Sequence, residues 1–163
     1  MFKKLFKKKE VNTDLVAPLT GKIVPLEEVP DQVFSQKMMG DGIAIEPSCN
    51  EVVSPIDGEV VDVFKTKHAI SMRTDGGAEI LIHMGLETVQ LDGDGFDIKV
   101  DNGQKVKKGD ALAAFDLDAV SEKGYKTITP IILLNGDDFS ATSKISEQQA
   151  AAGQDVLFHI EKK

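Results

Sequence analysis

"HAISMRTDGGAEILIHMG", residues 68–85, reads as two apolar runs joined by a Gly-Gly turn. Ala69–Arg73 and Glu79–Met84 are short, aliphatic or β-branched, and separated by turn formers, which is the pattern of a β-hairpin. Two of the chain's three histidines stand at the ends of these runs away from the turn, His68 at the start of the first and His83 in the second. Folding about Gly76 and Gly77 sets a register within about one bulge of placing the two imidazoles side by side. Thr66 lies two residues before His68, on the same face by strand alternation, and can offer its hydroxyl to an imidazole nitrogen. Gly85 can offer a carbonyl to His83 Nδ1–H, leaving Nε2 unprotonated and nucleophilic. Two half-buried hairpin histidines making ordinary hydrogen bonds would leave the same pattern, and the residues alone do not decide between the two readings.

Outward from the hairpin, short β-branched runs cut by Gly, Pro, Asp and Asn continue from Thr13 to the end. Further strands are expected at Leu15–Ala17, Gly21–Leu26, Gly42–Glu46, Glu51–Ser54, Gly58–Phe64, Phe96–Val100, Ala111–Asp116, Thr129–Leu134 and Asp155–Glu161. That spacing predicts an all-β, antiparallel sandwich or barrel. Two short helical turns are expected, at 31–36 and at 117–123, the second capped by Asp116. "APLTGKIV" at 17–24 returns as "SPIDGEVV" at 54–61, and the glycines are read as turns requiring positive φ. A third segment, "NGQKVKKGDALAAFD" at 102–116, holds two turn glycines around a basic hairpin. These segments resemble the duplicated barrel-sandwich hybrid of biotinyl and lipoyl domains.

With 163 residues, 41% hydrophobic and 28% charged, the chain suits one domain with a sizeable core. The division expected is a basic, flexible tail over 1–12 and a single domain over 13–163. The tail, "MFKKLFKKKE" at 1–10, has five lysines and one glutamate, hence +4, so the rest carries −12 of the total −8. An acidic body argues against nucleic acid, whose phosphates it would repel, and favours a basic protein partner. In the tail, Phe2, Leu5 and Phe6 would form an apolar stripe among lysines on a helix, suited to weak contact with an anionic membrane surface. A solvated leader is the alternative. No apolar run reaches the roughly 20 residues of a membrane-spanning helix. The single cysteine, Cys49, excludes an internal disulfide and fits a reducing cytosol.

A nucleophilic imidazole beside a charge-stabilising one suits phosphoryl transfer through phosphohistidine, which needs positioning and neutralisation of oxygens more than general bases. Through "PLTGKIVPLEEVPDQVFSQKMMGDGIAIEP", the hairpin region "SPIDGEVVDVFKTKHAISMRTDGGAEILIHMGLETVQLDGDGF" and "GQKVKKGDALAAFDL", the chain resembles the glucose-type enzyme IIA of the bacterial phosphotransferase system over residues 14–161. The resemblance implies a cytoplasmic phosphocarrier, and the stripe in the tail would make it a peripheral contact at the inner face of the membrane. It would accept a phosphoryl group from phospho-HPr and pass it to a cysteine of a sugar-specific IIB domain. It implies His83 as acceptor, His68 as auxiliary histidine, Thr66 as its orienting partner and Gly85 as the carbonyl that holds the nucleophile. It places Asp31 and Glu87 as an acidic pair, with Glu87 one methylene longer than the aspartate of many members. Val33, Phe34, Met38, Met39 and Phe64 match the apolar docking rim, where Gln32 replaces an apolar residue. The unphosphorylated form is expected to bind regulated permeases or kinases, as some relatives do.

Three other classes compete. A zinc hydrolase would need a third protein ligand, which "IHMG" does not supply. No cofactor is required, but zinc could bridge His68 and His83 if a partner carboxylate completed the set. A lipoyl or biotinyl carrier would show a Met-Lys-Met order, and Lys37 in "QKMMG" does not. A purely regulatory binding module would use the same face without phosphohistidine. His159, in an alternating strand, is expected on the surface with no role.

Overall fold

The computed structural model describes residues 11–163, so the basic stretch at 1–10 lies outside the described residues. Fourteen strands follow one another: β1 Thr13–Val16, β2 Gly21–Pro25, β3 Gly42–Pro47, β4 Glu51–Val53, β5 Gly58–Val63, β6 Ala69–Thr74, β7 Glu79–His83, β8 Phe96–Ile98, β9 Lys105–Val106, β10 Ala111–Phe115, β11 Thr129–Leu133, β12 Phe139–Thr142, β13 Gln149–Ala150 and β14 Val156–Lys162. The helical turns are α1, Gln32–Ser35, and α2, Leu117–Glu122, with 3-10 turns at Leu26–Glu28 and Thr88–Leu91. Asp31 caps α1 by accepting from Val33 N at 2.9 Å, and Asp116 caps α2 by accepting from Ala119 N at 3.1 Å.

Eight strands form one sheet in the order β13-β2-β3-β11-β7-β6-β5-β9, and two three-stranded sheets, β1-β14-β12 and β4-β10-β8, complete the fold. The all-β antiparallel expectation holds. Three short strands escaped the sequence reading: β9, β12 and β13 are only 2–4 residues long. Such segments are too brief to show a period.

The repeat is a structural one. Val16 N donates to Pro55 O and Val53 N donates to Pro18 O, each at 2.9 Å, so the two copies exchange equivalent bonds. Next along, Gly21 pairs with Ala150 of β13 and Gly58 with Val106 of β9. The third segment therefore has a counterpart near residues 148–155 that the sequence reading did not find. The glycines differ from expectation too. Gly21 and Gly58 open strands without positive φ. A Cβ would stand 2.1 Å from Glu46 O at Gly21 and 2.0 Å from Arg73 O at Gly58, so close backbone approach is the reason for glycine.

At its centre the large sheet is covered on both faces. Ile70, Met72, Ile80, Ile82 and Ile131 face the main core, which draws on all three sheets. Ala44, Ala69, Leu81 and Ile132 face a second, smaller core roofed by Leu26, Val29 and Phe34. This is why Ile80-Leu81-Ile82 is a continuous apolar run and not an alternating one. His83 continues the Leu81 face and ends it.

Candidate functional site

The hairpin pairs Ala69 with His83 and Ile70 with Ile82, so His68 lies one residue beyond the last cross-strand pair. Met84 N donates to His68 O at 2.7 Å and closes that end. Strict alternation would send the two imidazoles to opposite faces. Instead the chain leaves strand geometry on both sides: Lys67 has φ 63 and Gly85 has φ 82. The rings meet edge to face with centroids 4.9 Å apart.

Thr66 is the first correction of detail. It lies in the turn before β6 and not on a strand, where Lys67 N donates to Phe64 O at 2.7 Å. That turn brings Thr66 Oγ1 to 2.6 Å from His68 Nδ1. On the other side His83 Nδ1 lies 2.7 Å from Gly85 O. A carbonyl only accepts, so Nδ1 carries the proton and Nε2 keeps its lone pair. Any side chain at Gly85 would collide: a Cβ would fall 2.6 Å from Thr88 Cγ2 and 2.7 Å from Lys126 O.

Burial pushes the His83 pKa down, against the Gly85 carbonyl and the Asp31 charge, which favour the charged form. His68 is buried at 4% exposure, and burial with the neighbouring His83 lowers its pKa to about 4. Both rings are therefore neutral at pH 7.

Four rings run in file. Phe64 stands edge-on to His68 with centroids 5.5 Å apart, His68 meets His83, and Phe34 tilts against His83 at 5.0 Å. Phe34 corrects the expected docking rim. At 4% exposure it belongs to the second core and backs the imidazole from below. Val33, Met38, Met39 and Phe64 are exposed, Met38 most of all at 68%. Asp31 and Glu87 come together as walls of an open hollow of about 450 Å³, which Gln32, Tyr125 and Lys126 also line. Glu87 holds an unusual left-handed backbone, φ 59.

Sequence reasoning missed Val89, which is 49% exposed on the turn after His83, and Thr88, which is fully buried there. A short polar turn offers no period by which to rank its residues. His159 is not a bystander in the fold: its Nδ1 lies 2.7 Å from the Asp14 carboxylate across the β1–β14 pair. Among the described residues no group of three or more His, Cys, Asp or Glu could hold a metal, and no helix is long and apolar enough to cross a membrane.

The site is thus two neutral imidazoles in contact on an antiparallel β scaffold, His83 with its Nε2 free and His68 beside the exposed Phe64. Residues 13–139 match the model of the phosphoenolpyruvate-dependent sugar phosphotransferase system, EIIA 1, and the chain belongs to that family. It is 50% identical to the PTS system glucose-specific EIIA component of Oceanobacillus iheyensis, across 98% of this chain and 99% of that one. It is 55% identical to the same-named component of Bacillus cereus, across 84% of each. The glucose permease IIA from Mycoplasma capricolum superposes with a TM-score of 0.81 at 40% identity, covering 94% of this chain and 97% of that one.

Proposed function

We propose that the chain is a glucose-type phosphocarrier in which His83 Nε2 accepts a phosphoryl group from phospho-HPr and donates it to a IIB cysteine during sugar uptake. The observation that carries this reading is the 2.7 Å bond from His83 Nδ1 to the Gly85 carbonyl, which fixes the tautomer with Nε2 free. In the accepting step the Nε2 lone pair forms the bond to phosphorus as the donor's bond breaks and its electron pair returns to the donor. In the donating step the cysteine thiolate forms the bond to phosphorus as the Nε2–phosphorus bond breaks and its electron pair returns to Nε2. Little covalent work falls to the protein, so positioning and charge stabilisation dominate.

His68 is the donor group for the phosphoryl oxygens. Thr66 donates its hydroxyl to His68 Nδ1, which puts the proton on Nε2 beside His83. Once His83 carries nearly two negative charges, His68 gains a reason to take a second proton. Asp31 and Glu87 attract basic residues of HPr and IIB, and the exposed Val33, Met38, Met39 and Phe64 supply the apolar contact. Methionines let one surface repack against several partners, which also fits binding of regulated permeases or kinases by the unphosphorylated form. Zinc fits only in part. The two Nδ1 atoms are committed to Thr66 and Gly85, so two Nε2 atoms remain, and a tetrahedral site needs further ligands from a docked partner. The protein is assigned to the cytoplasm, with residues 1–10 as a weak membrane contact.

The test is labelling from phosphoenolpyruvate with enzyme I and HPr. Wild type takes up acid-labile phosphate, and His83→Ala folds but takes up none. Retained labelling in that variant would sink the assignment.

A further inference from the structure

Thr88 is buried completely, yet it is polar and lies in the turn that follows His83. Its hydroxyl donates to Met84 O at 2.6 Å. The Met84 carbonyl and the Gly85 N–H belong to one peptide plane, so this bond holds the plane on the N-terminal side of the Gly85 Cα. Leu86 N donates to Lys126 O at 3.1 Å, and that N–H shares its plane with the Gly85 carbonyl. Both planes around Gly85 are thus held, which fixes where its carbonyl points. The Thr88 methyl closes the arrangement from the side, since Cγ2 would stand 2.6 Å from any Cβ at Gly85. The left-handed backbones of Gly85 and Glu87 fold the chain back so that Thr88 can reach Met84.

We propose that Thr88 is a positioning residue for His83: by holding the Met84–Gly85 peptide it aims the Gly85 carbonyl at His83 Nδ1–H and so keeps Nε2 free. The tautomer part stands on geometry alone, and only its consequence for rate rests on His83 being the phosphoryl acceptor. Thr88→Val keeps the shape and removes the hydroxyl, whereas Thr88→Ser keeps the hydroxyl.

The measurement is the ¹⁵N NMR tautomer signature of the His83 ring in the unphosphorylated full chain, at a pH where both imidazoles are neutral, followed by the rate of labelling from phospho-HPr. Wild type and Thr88→Ser should show the Nδ1–H form. Thr88→Val should show a mixture of tautomers and a labelling rate lower by about tenfold or more, the scale on which outer partners of a functional imidazole act. An unchanged tautomer in Thr88→Val overturns the proposal, and so does equal mixing in Thr88→Ser, which would assign the effect to packing. Should Thr88→Val not fold, Thr88→Ser decides alone, with a retained tautomer supporting the proposal and a mixed one overturning it. If wild-type label sits on another residue, the acceptor reading fails while the tautomer comparison still judges Thr88.

Discussion

His68 and His83 share a hairpin end but answer to different surroundings. His83 balances burial against a carbonyl and an aspartate, while burial and a second imidazole act on His68 without any opposing charge. The sign for His68 follows from its folded pKa of about 4 against 6.5. Between those values the unfolded chain binds more protons, so stability is complete above about pH 6.5 and falls as pH drops toward about 4. The fall attributable to this group is on the order of 2–3 kcal/mol. Chemical denaturation of wild type and His68→Gln across that range should show a shallower loss in the variant; equal slopes would place the titration elsewhere. The same variant separates the half-reactions. Labelling by phospho-HPr should persist, because an incoming partner brings basic groups of its own. Chase of the label into a IIB domain should slow by ~10²–10³, the value of one charge-stabilising donor. Equal chase rates in both proteins would make His68 a bystander.

At the scale of elements, two turns do the positioning, one after β7 and one after α1. Gly85→Ala forces a Cβ against Lys126 backbone and Thr88, at a φ of 82 that disfavours alanine. It should cost about 1–3 kcal/mol in an equilibrium melt and remove most phosphoryl acceptance, because the carbonyl must move. Wild-type labelling by Gly85→Ala would show that the carbonyl is dispensable. Asp31 caps a helix of only four residues that bears Val33 and leads to Met38 and Met39. Lys37, in left-handed conformation, steadies the same loop through Glu27 at 3.1 Å and Asp41 at 3.4 Å. These are exposed pairs and contribute little each. Asp31→Ala should therefore cost about 1 kcal/mol through the lost cap, with a larger drop in affinity for HPr measured by calorimetry. The elements themselves were largely legible in the sequence. Both helical turns fell within one or two residues of place, because Asp31 and Asp116 are cap formers ahead of short runs. Thr66 fell in a turn because Lys67 adopts φ 63, which no propensity of lysine foretells.

Across the whole molecule, β13-β2-β3 at one end of the large sheet is matched by β9-β5-β6 at the other, and the site draws on both: its histidines come from the β6–β7 hairpin and Phe34 comes from the β2–β3 connection. The main core reaches the site through Phe115, which is fully buried, stacks on Phe96 at 5.2 Å, and would lie 3.5 Å from a Cβ at Gly85. Phe115→Ala should lower stability by about 3–5 kcal/mol. Residues 1–11 belong to a different account. A chain beginning at Asn12 should keep its labelling by HPr yet lose a marginal affinity for anionic vesicles, measured by co-sedimentation, since one short stripe buries little apolar area. Equal vesicle binding by both chains would favour a solvated leader.

The sequence by itself determined the strand-rich class, the hairpin about Gly76 and Gly77, the repeat led by Pro18 and Pro55, and the pair of histidines at one hairpin end. Each of these is local: a period, a turn former or a spacing, set by backbone sterics within a few residues. Tertiary structure decided the rest. That the centre of the large sheet is covered on both faces, that Phe34 lies under His83 instead of on the rim, and that Thr88 reaches back to Met84 all depend on segments far apart in the chain or on left-handed residues between them. Packing of distant elements selects such arrangements, and a run of residues read alone carries no record of what will be folded against it.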